Sequence, residues 1–551
     1  MKKYFTFAAI ILIAALALGT CIEYWEDPDK PPETGLRDSP VPRYRNVTVH
    51  DPSIFRVSAT GEFRIIGSFL TSAKSGDLVS WQSDSPGGAE GSFPAALKYY
   101  PQNNSNSSVQ TITQQIADVM RGSAHGIQFY ASDIQRMPNG KFYHYYSLTS
   151  SSTCSAIGVA IANSADGTYV TQGLIVRSNQ AADSSRAPNG TSAFDSSRHP
   201  NCIDSHTFFD KSGTRLFMTY GSWSGGIFLY ELDPATGLKK AGAAMNDESD
   251  GYGRRILWAS RVAVEAPYVL YSPDSDYYYL FLSFGWLESA GNSQGRYQIR
   301  MFRSRNPDGP YEDAIHPITP SSPKPLETAN IVNSTGDADF RNYGVKILGG
   351  YQFEHIVDEE NNLRNTEGSR GFLSPGHNSA YYDSALKKYF LIFHTRFNGG
   401  WQNNAESHHV RVHEMFINEH GWLSAAPFRH DGGTVRVFNE KQLEGKWKIL
   451  NHGRSINQGT DSLSRSQNYT FNADGTISGA GDGTWALKED RKTALITLGG
   501  TAYSGLFLRC YDEFHNVWVY AFTAMSNDGI ALWGSTPGIT TDLNIGQEEA
   551  E

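Results

Sequence analysis

Ile203-Asp204-Ser205-His206-Thr207-Phe208-Phe209, followed after a polar turn by Leu216-Phe217-Met218-Thr219-Tyr220-Gly221-Ser222, decides the fold because the chain repeats it. In each copy a polar anchor leads into a hydrophobic strand. A tight turn follows, and a second strand rich in aromatic residues closes the unit. The pattern occurs at His50-Asp51-Pro52-Ser53-Ile54-Phe55 with Phe63–Ser68, and at Ser132-Asp133-Ile134 with Phe142–Ser147. It returns at Val264-Glu265-Ala266-Pro267-Tyr268-Val269 with Tyr278–Ser283, and at Pro375-Gly376-His377-Asn378-Ser379 with Tyr389–His394. Such repeats signal a β-propeller, whose blades surround a central axis. Four copies carry a carboxylate at the anchor (Asp51, Asp133, Asp204 and Glu265) and the fifth carries His377. If these anchors occupy equivalent places on the innermost strands, they converge on one funnel, an arrangement suited to catalysis.

At 551 residues the chain is long enough for two domains. Aromatic residues at 13% and 53 glycines, with few helical periodicities, favour an all-β protein with many tight turns. A formal net charge of −10 argues against nucleic acid or anionic polymers as partners and favours a neutral polymer. Lys2 and Lys3 precede an apolar run from Phe5 to Leu18, the form of a secretory leader rather than a bilayer span. Leu18-Gly19-Thr20-Cys21 resembles a lipobox, so residues 1–21 read as a signal segment of the lipoprotein type, cleaved ahead of a Cys21 that is then lipidated, with ordinary cleavage nearby as the alternative. Residues 22–44 then form a polar, Pro-rich linker, and membrane contact is expected only through the anchor. The expected location is outside the cytoplasm. Cys154, Cys202 and Cys510 make neither a metal motif nor a disulfide framework. A Cys154–Cys202 bridge stays open, but a buried free thiol at Cys202, in a strand beside Asp204, is favoured.

The anchors are unevenly spaced, so loops of different length decorate the blades. One insertion, 83–125, contains a helix candidate over Thr111–Arg121, and a second spans 317–370. Long loops on one face of a rigid scaffold commonly build binding sites. The propeller is assigned to 45–430, with Val410–Phe416 among its last strands. Beyond it come short alternating strands at Gln467–Phe471, Gly483–Leu487, Ala494–Leu498, Gly505–Arg509, Val517–Phe522 and Gly529–Trp533. Residues 431–551 therefore read as a small accessory β-barrel or sandwich.

Hydrolysing a glycosidic bond requires a protonated acid at the leaving oxygen and a carboxylate partner. In the inverting case the two carboxyls stand roughly 6.5–9.5 Å apart, with room for a water. Different blades can supply that separation. A third carboxylate beside the acid raises its pKa by like-charge repulsion. A lone Asp before Pro is usually a turn former; recurrence at one repeat position makes Asp51, Asp204 and Glu265 the catalytic candidates. Asp133 has no evident chemical part and reads as structural. His408, His409 and His413 lie on an alternating strand without a carboxylate partner, which disfavours a zinc site.

His50-Asp51-Pro52-Ser53, Asn201–Phe209, Val264–Tyr268 and Ser374–Ser379 resemble the signature segments of family 43 glycoside hydrolases, nearest to two-domain bacterial endo-1,5-α-L-arabinanases. Gly221–Ile227, Arg303–Tyr311 and Phe393–Phe397 extend the resemblance. It implies a five-bladed propeller, a lipocalin-like C-terminal barrel and inversion at the anomeric carbon. It also implies Asp51 as general base, Glu265 as general acid, and Asp204 as the group tuning that acid. His377 would stand beside a calcium ion held largely by water; because calcium prefers oxygen ligands, a buried hydrogen-bonded histidine is the competing view. Asn201, Ser222, Trp223 and Ser224 match positions that contact arabinose. Tyr130 stands where many relatives carry Trp, and Trp223 where a smaller aromatic is common, so both are candidates to stack on sugar. The implied activity is endo-hydrolysis of linear arabinan and arabino-oligosaccharides by a monomer. The alternatives are an exo-acting arabinofuranosidase, a β-xylosidase, or a glycan binder without activity.

Overall fold

In the computed structural model, five antiparallel sheets of four strands and one closed barrel make up nearly all regular structure among the described residues. These are residues 41–538, apart from 58–59, 85–127, 150–153, 168, 179–193, 261, 288–295, 329–330, 333–342, 354–369, 398–407, 434 and 455–462. The leader, the lipobox cysteine Cys21, most of the linker, the helix candidate Thr111–Arg121 and much of the 317–370 insertion lie outside the described residues.

The innermost strands of the blades are Ser53–Val57, Gln128–Arg136, His206–Phe209, Val264–Ser272 and Phe372–Asp383. Each touches the next, and the last returns to the first, so they surround one axis. The second strands are Glu62–Ile66, Phe142–Thr149, Leu216–Tyr220, Tyr277–Phe284 and Lys388–Phe397. They read as nearly unbroken apolar runs because both of their faces are buried, one against each neighbouring blade. Side chains alternate across a strand: in the fifth blade Tyr389, Leu391 and Phe393 enter the core shared with blade four, while Phe390 and Ile392 enter the core shared with blade one. The hairpin turns that the sequence places at Pro138–Gly140, Lys211–Gly213 and Pro273–Asp276 join first to second strands. The circle closes through Val47–Val49, which pairs with His408 and Val410 beside the third strand of blade five; Val49 N donates to His408 O at 3.0 Å.

Eight strands from Gly445–Asn451 to Ala531–Ser535 close the barrel. Gln467–Phe471 and Gly483–Leu487 match their sequence assignments; Thr501–Asp512 and Val517–Ser526 are longer than expected, and Thr476–Gly479 was missed because its pattern is only a single buried Ile477. Trp447, Phe471, Trp485, Phe507 and Phe522 fill the interior. The outside of the barrel is packed too. Leu450, Leu508, Phe514, Met525 and Trp533 join Ile299, Tyr351, Phe372 and Phe428 of blades four and five in one continuous core. Across it Arg411 Nε donates to Glu513 Oε1 at 2.6 Å, with both side chains buried. Cys154, Cys202 and Cys510 are buried thiols that form no disulfide among the described residues. Cys202 lies in the loop entering blade three, not in a strand.

Removal of 431–551 uncovers this shared core. Each large apolar side chain so exposed forfeits about 1.5–3 kcal/mol, so a few of them match the whole stability of an ordinary domain, about 5–15 kcal/mol. The truncated chain is expected to be insoluble or to unfold well below the full protein in a thermal melt; a soluble, fully active truncation refutes the buttress.

Candidate active site

Every blade has a left-handed residue within its innermost strand or two residues before it, and blade five has a second at Ser374 (φ 49°). Asp51, Ala131, Asp204, Ala266 and His377 have φ of 58°, 37°, 61°, 58° and 41°, the left-handed region. Each stands two residues before a regular strand position: Ser53, Asp133, His206, Tyr268 and Ser379. This corrects the repeat register read from sequence. Asp51, Asp204 and His377 are equivalent, but Asp133 lies two residues too far along and Glu265 one residue short. A bulge, invisible in composition, separates them.

Asp51, Asp204 and His377 line one axial cavity of about 20 Å³ with Ser132, Ser205 and Asn378. Asp51 Oδ1 lies 3.0 Å from His377 Nδ1 and 3.2 Å from His50 Nε2, and its Oδ2 accepts from Ser68 Oγ. Burial alone would raise the Asp51 pKa, but the His377 charge and then His50 outweigh it and hold it well below the carboxylate range. For His377 burial works downward, and Asp51 with Asp204 overcomes it, pushing the imidazole up to about 9. Asp51 and His377 are therefore an ion pair. Asp204 behaves oppositely. Burial first, then the charges of Glu265 and Asp51, raise its pKa well above the usual value despite His377.

Glu265 is clamped at both oxygens: Ser222 Oγ donates to Oε2 at 2.7 Å and Tyr297 Oη donates to Oε1 at 2.7 Å. Sequence reasoning missed Tyr297, whose only signal is a lone aromatic ahead of the strand Gln298–Ser304. Gly376 explains its placement, because a Cβ there would sit 2.0 Å from the Tyr297 ring.

The remaining candidates are spread around this centre. Ser222 is committed to Glu265. Trp223, 38% exposed, meets Trp286 edge-on at 6.0 Å. Ser224 is buried in the same turn. Asn201 is buried and its Oδ1 accepts from Ser155 Oγ at 2.5 Å. Tyr130 is half-buried, its ring 5.3 Å from Phe69. Asp133 accepts from Ser53 Oγ, Thr207 N and Thr207 Oγ1, a pin between the first three blades.

Two clusters have the donors of metal sites. His50, His394 and His408 offer nitrogens within 4.8 Å of one another, and burial lowers the pKa of all three. His408 thus leaves the His409–His413 strand set, in which His413 Nδ1 bonds Ala426 O. Nitrogen ligands suit transition metals, not calcium. The axial cavity does fit calcium. Ser132 Oγ, Ser205 Oγ and Asn378 Oδ1 are buried there without a hydrogen-bond partner among the described residues, beside two carboxyls.

The profile of glycosyl hydrolases family 43 matches residues 104–343, and that of a C-terminal lipocalin-like domain matches 427–534. Extracellular endo-α-(1→5)-L-arabinanase 2 of Bacillus subtilis is 38% identical over 497 residues, 90% of this chain and 94% of that protein. This chain belongs to glycosyl hydrolase family 43. The extracellular endo-α-(1→5)-L-arabinanase of Thermotoga petrophila is 36% identical over the same shares. The crystal structure of the family 43 glycoside hydrolase YxiA from Bacillus licheniformis superposes with a TM-score of 0.72 at 33% identity, covering 90% of this chain and 99% of that one.

Asp204 yields a signed prediction. Its folded pKa is raised, so its contribution to stability is complete below the unfolded value, about 3.9, and is lost as pH rises through the folded value. Asp204→Asn removes that loss. The variant is expected to be less active but to gain in melting temperature over the parent as pH is raised from 4 to 8; a constant difference across that range would contradict the raised pKa.

Proposed function

We propose that this family 43 enzyme is an extracellular, inverting endo-α-1,5-L-arabinanase. The observation that carries the reading is identity of 36–38% with two such enzymes across 90% of the chain, both domains included. The site chemistry is consistent with it. Asp51 and Glu265 approach the axis from blades one and four, which are not neighbours. Asp51, ionised by its pairing with His377, takes a proton from a water. The water oxygen attacks the anomeric carbon from one face. The bond to the leaving sugar breaks on the other face, and its electron pair takes the proton of Glu265. Attack and departure on opposite faces invert the anomeric centre. Asp204 stands beside the acid, its Oδ2 accepting from Ala266 N at 3.3 Å.

Calcium is proposed for the axial cavity, where Ser132, Ser205, Asn378 and the facing carboxyls supply oxygen donors. Its charge would hold Asp51 ionised, with His377 alongside. The leader and Cys21 support export and lipid anchoring; Cys21→Ser is expected to move the protein from the membrane fraction to the medium, and unchanged partition argues against the anchor.

The decisive assay is the time course of product sizes from debranched linear arabinan. Mixed arabino-oligosaccharides are expected from the earliest times, and arabinose alone would mean an exo enzyme. Glu265→Gln is expected to abolish release while oligosaccharide binding persists, and near-normal turnover would remove the acid assignment. Chelation is expected to lower the parent rate and added calcium to restore it; indifference to both would dismiss the ion.

A further inference from the structure

The last residue of each repeat is Ser68, Ser147, Ser222, Ser283 or His394, among the final residues of the second strand or within two residues beyond it. In the fold each of these reaches across to the left-handed turn of the next blade. Ser68 Oγ accepts from Ala131 N at 3.0 Å, and Ser147 Oγ accepts from Asp204 N at 3.1 Å. Ser283 Oγ accepts from His377 N at 2.7 Å, and His394 Nδ1 accepts from Asp51 N at 3.0 Å. The contacts run from blade one to two, two to three, four to five, and five back to one. Between blades three and four the rule changes. Ser222 leaves the Ala266 amide to Asp204 Oδ2 and donates instead to the Glu265 carboxylate.

We infer that these five side chains form a closed ring of positioning residues that sets the reacting groups, and that His394 fixes Asp51 through its backbone amide. The inference rests on Asp51 and Glu265 being the base and acid.

Three observations favour a catalytic purpose over simple blade adhesion. A left-handed conformation costs a non-glycine residue of order 1 kcal/mol or more and persists only where its surroundings enforce it. Here it falls on Asp51, Asp204 and His377, the residues whose side chains line the axial cavity. Where no reacting group occupies the turn the residue is Ala, at 131 and 266. The single departure from the amide rule occurs at Glu265, the one acid displaced from the turn position, and there the serine follows the carboxylate. One member also touches a reacting group by a second bond, Ser68 Oγ donating to Asp51 Oδ2, and Ser283 bonds the Tyr297 hydroxyl that holds Glu265.

The test separates the acceptor from the bulk of the imidazole. His394→Leu removes the acceptor, whereas His394→Asn places an amide oxygen at the same distance from the backbone as Nδ1. With linear arabino-oligosaccharides, His394→Leu is expected to lose about a hundredfold in kcat, the scale of a small misplacement of a reacting group. KM should stay within about twofold, since ground-state binding is untouched. His394→Asn is expected to recover most of kcat. Unchanged kcat in His394→Leu overturns the ring, and so does a His394→Asn variant as slow as His394→Leu at equal melting temperature. Should His394→Leu not fold, Ser147→Ala, which deletes one oxygen, is expected to lower kcat at least tenfold with KM steady; full activity there overturns the proposal equally. Glu265→Gln assayed alongside keeps the two levels apart. An active Glu265→Gln removes the assignment of the reacting groups, while an inactive one with an active His394→Leu removes the ring alone.

Discussion

A regular β-strand cannot aim side chains along a propeller axis. Successive residues point to opposite faces, and in this fold each face belongs to a core between two blades. The left-handed turn on every innermost strand is what releases a side chain toward the axis, at Asp51, Asp204 and His377. Its cost, of order 1 kcal/mol, is close to the net worth of one buried hydrogen bond, about 0.5–1.5 kcal/mol. One well-placed acceptor per turn therefore holds the conformation, and the acceptor comes from the preceding blade, because the turn has withdrawn its amide from its own sheet. Site geometry and blade-to-blade packing are thus one problem.

The same crowding sets the charges. Three carboxyls and one imidazole occupy a space with little water, and they cannot all ionise. The resolution seen here is an ion pair between Asp51 and His377 and a proton retained by Asp204. The lowered pKa of Asp51 and the raised pKa of His377 are two expressions of one attraction. Burial lowers the pKa of the surrounding imidazoles of His50, His394 and His408, and for His394 and His408 the neighbouring imidazoles add to it. His394 can then offer an unprotonated nitrogen to the Asp51 amide, which a charged ring could not do.

The architecture was legible because second strands such as Tyr277–Phe284 are apolar on both faces, and only a strand buried between two sheets needs that. The barrel was legible from its alternation. Asp51, Asp204 and Glu265 stood out through recurrence, yet the recurrence hid an error: Asp133 and Glu265 were aligned with Asp51, although a bulge shifts each of them by one or two residues. Bulges leave no compositional trace when the left-handed residue is Ala rather than Gly, as at Ala131 and Ala266. Tyr297 was missed for a different reason. Its contact with Glu265 spans 32 residues and two strands, and no local pattern encodes it. Ser68, Ser147, Ser283 and His394 were visible as repeat ends, but a serine at the end of a strand is too common to be given a role without its partner.

The barrel answers a question that the propeller raises. Blades one to three are sealed on each side by neighbouring blades, whereas blades four and five carry further apolar surface at Ile299, Tyr351, Phe372 and Phe428. The barrel covers that surface with its exterior, while its interior is already filled by Trp447, Phe471, Trp485, Phe507 and Phe522. Among the described residues the barrel interior is thus occupied by the protein's own aromatic side chains. The surface it covers belongs to the half of the propeller that supplies Glu265, Tyr297, His377 and His394, so burying that surface and holding those four side chains in place fall to one interface.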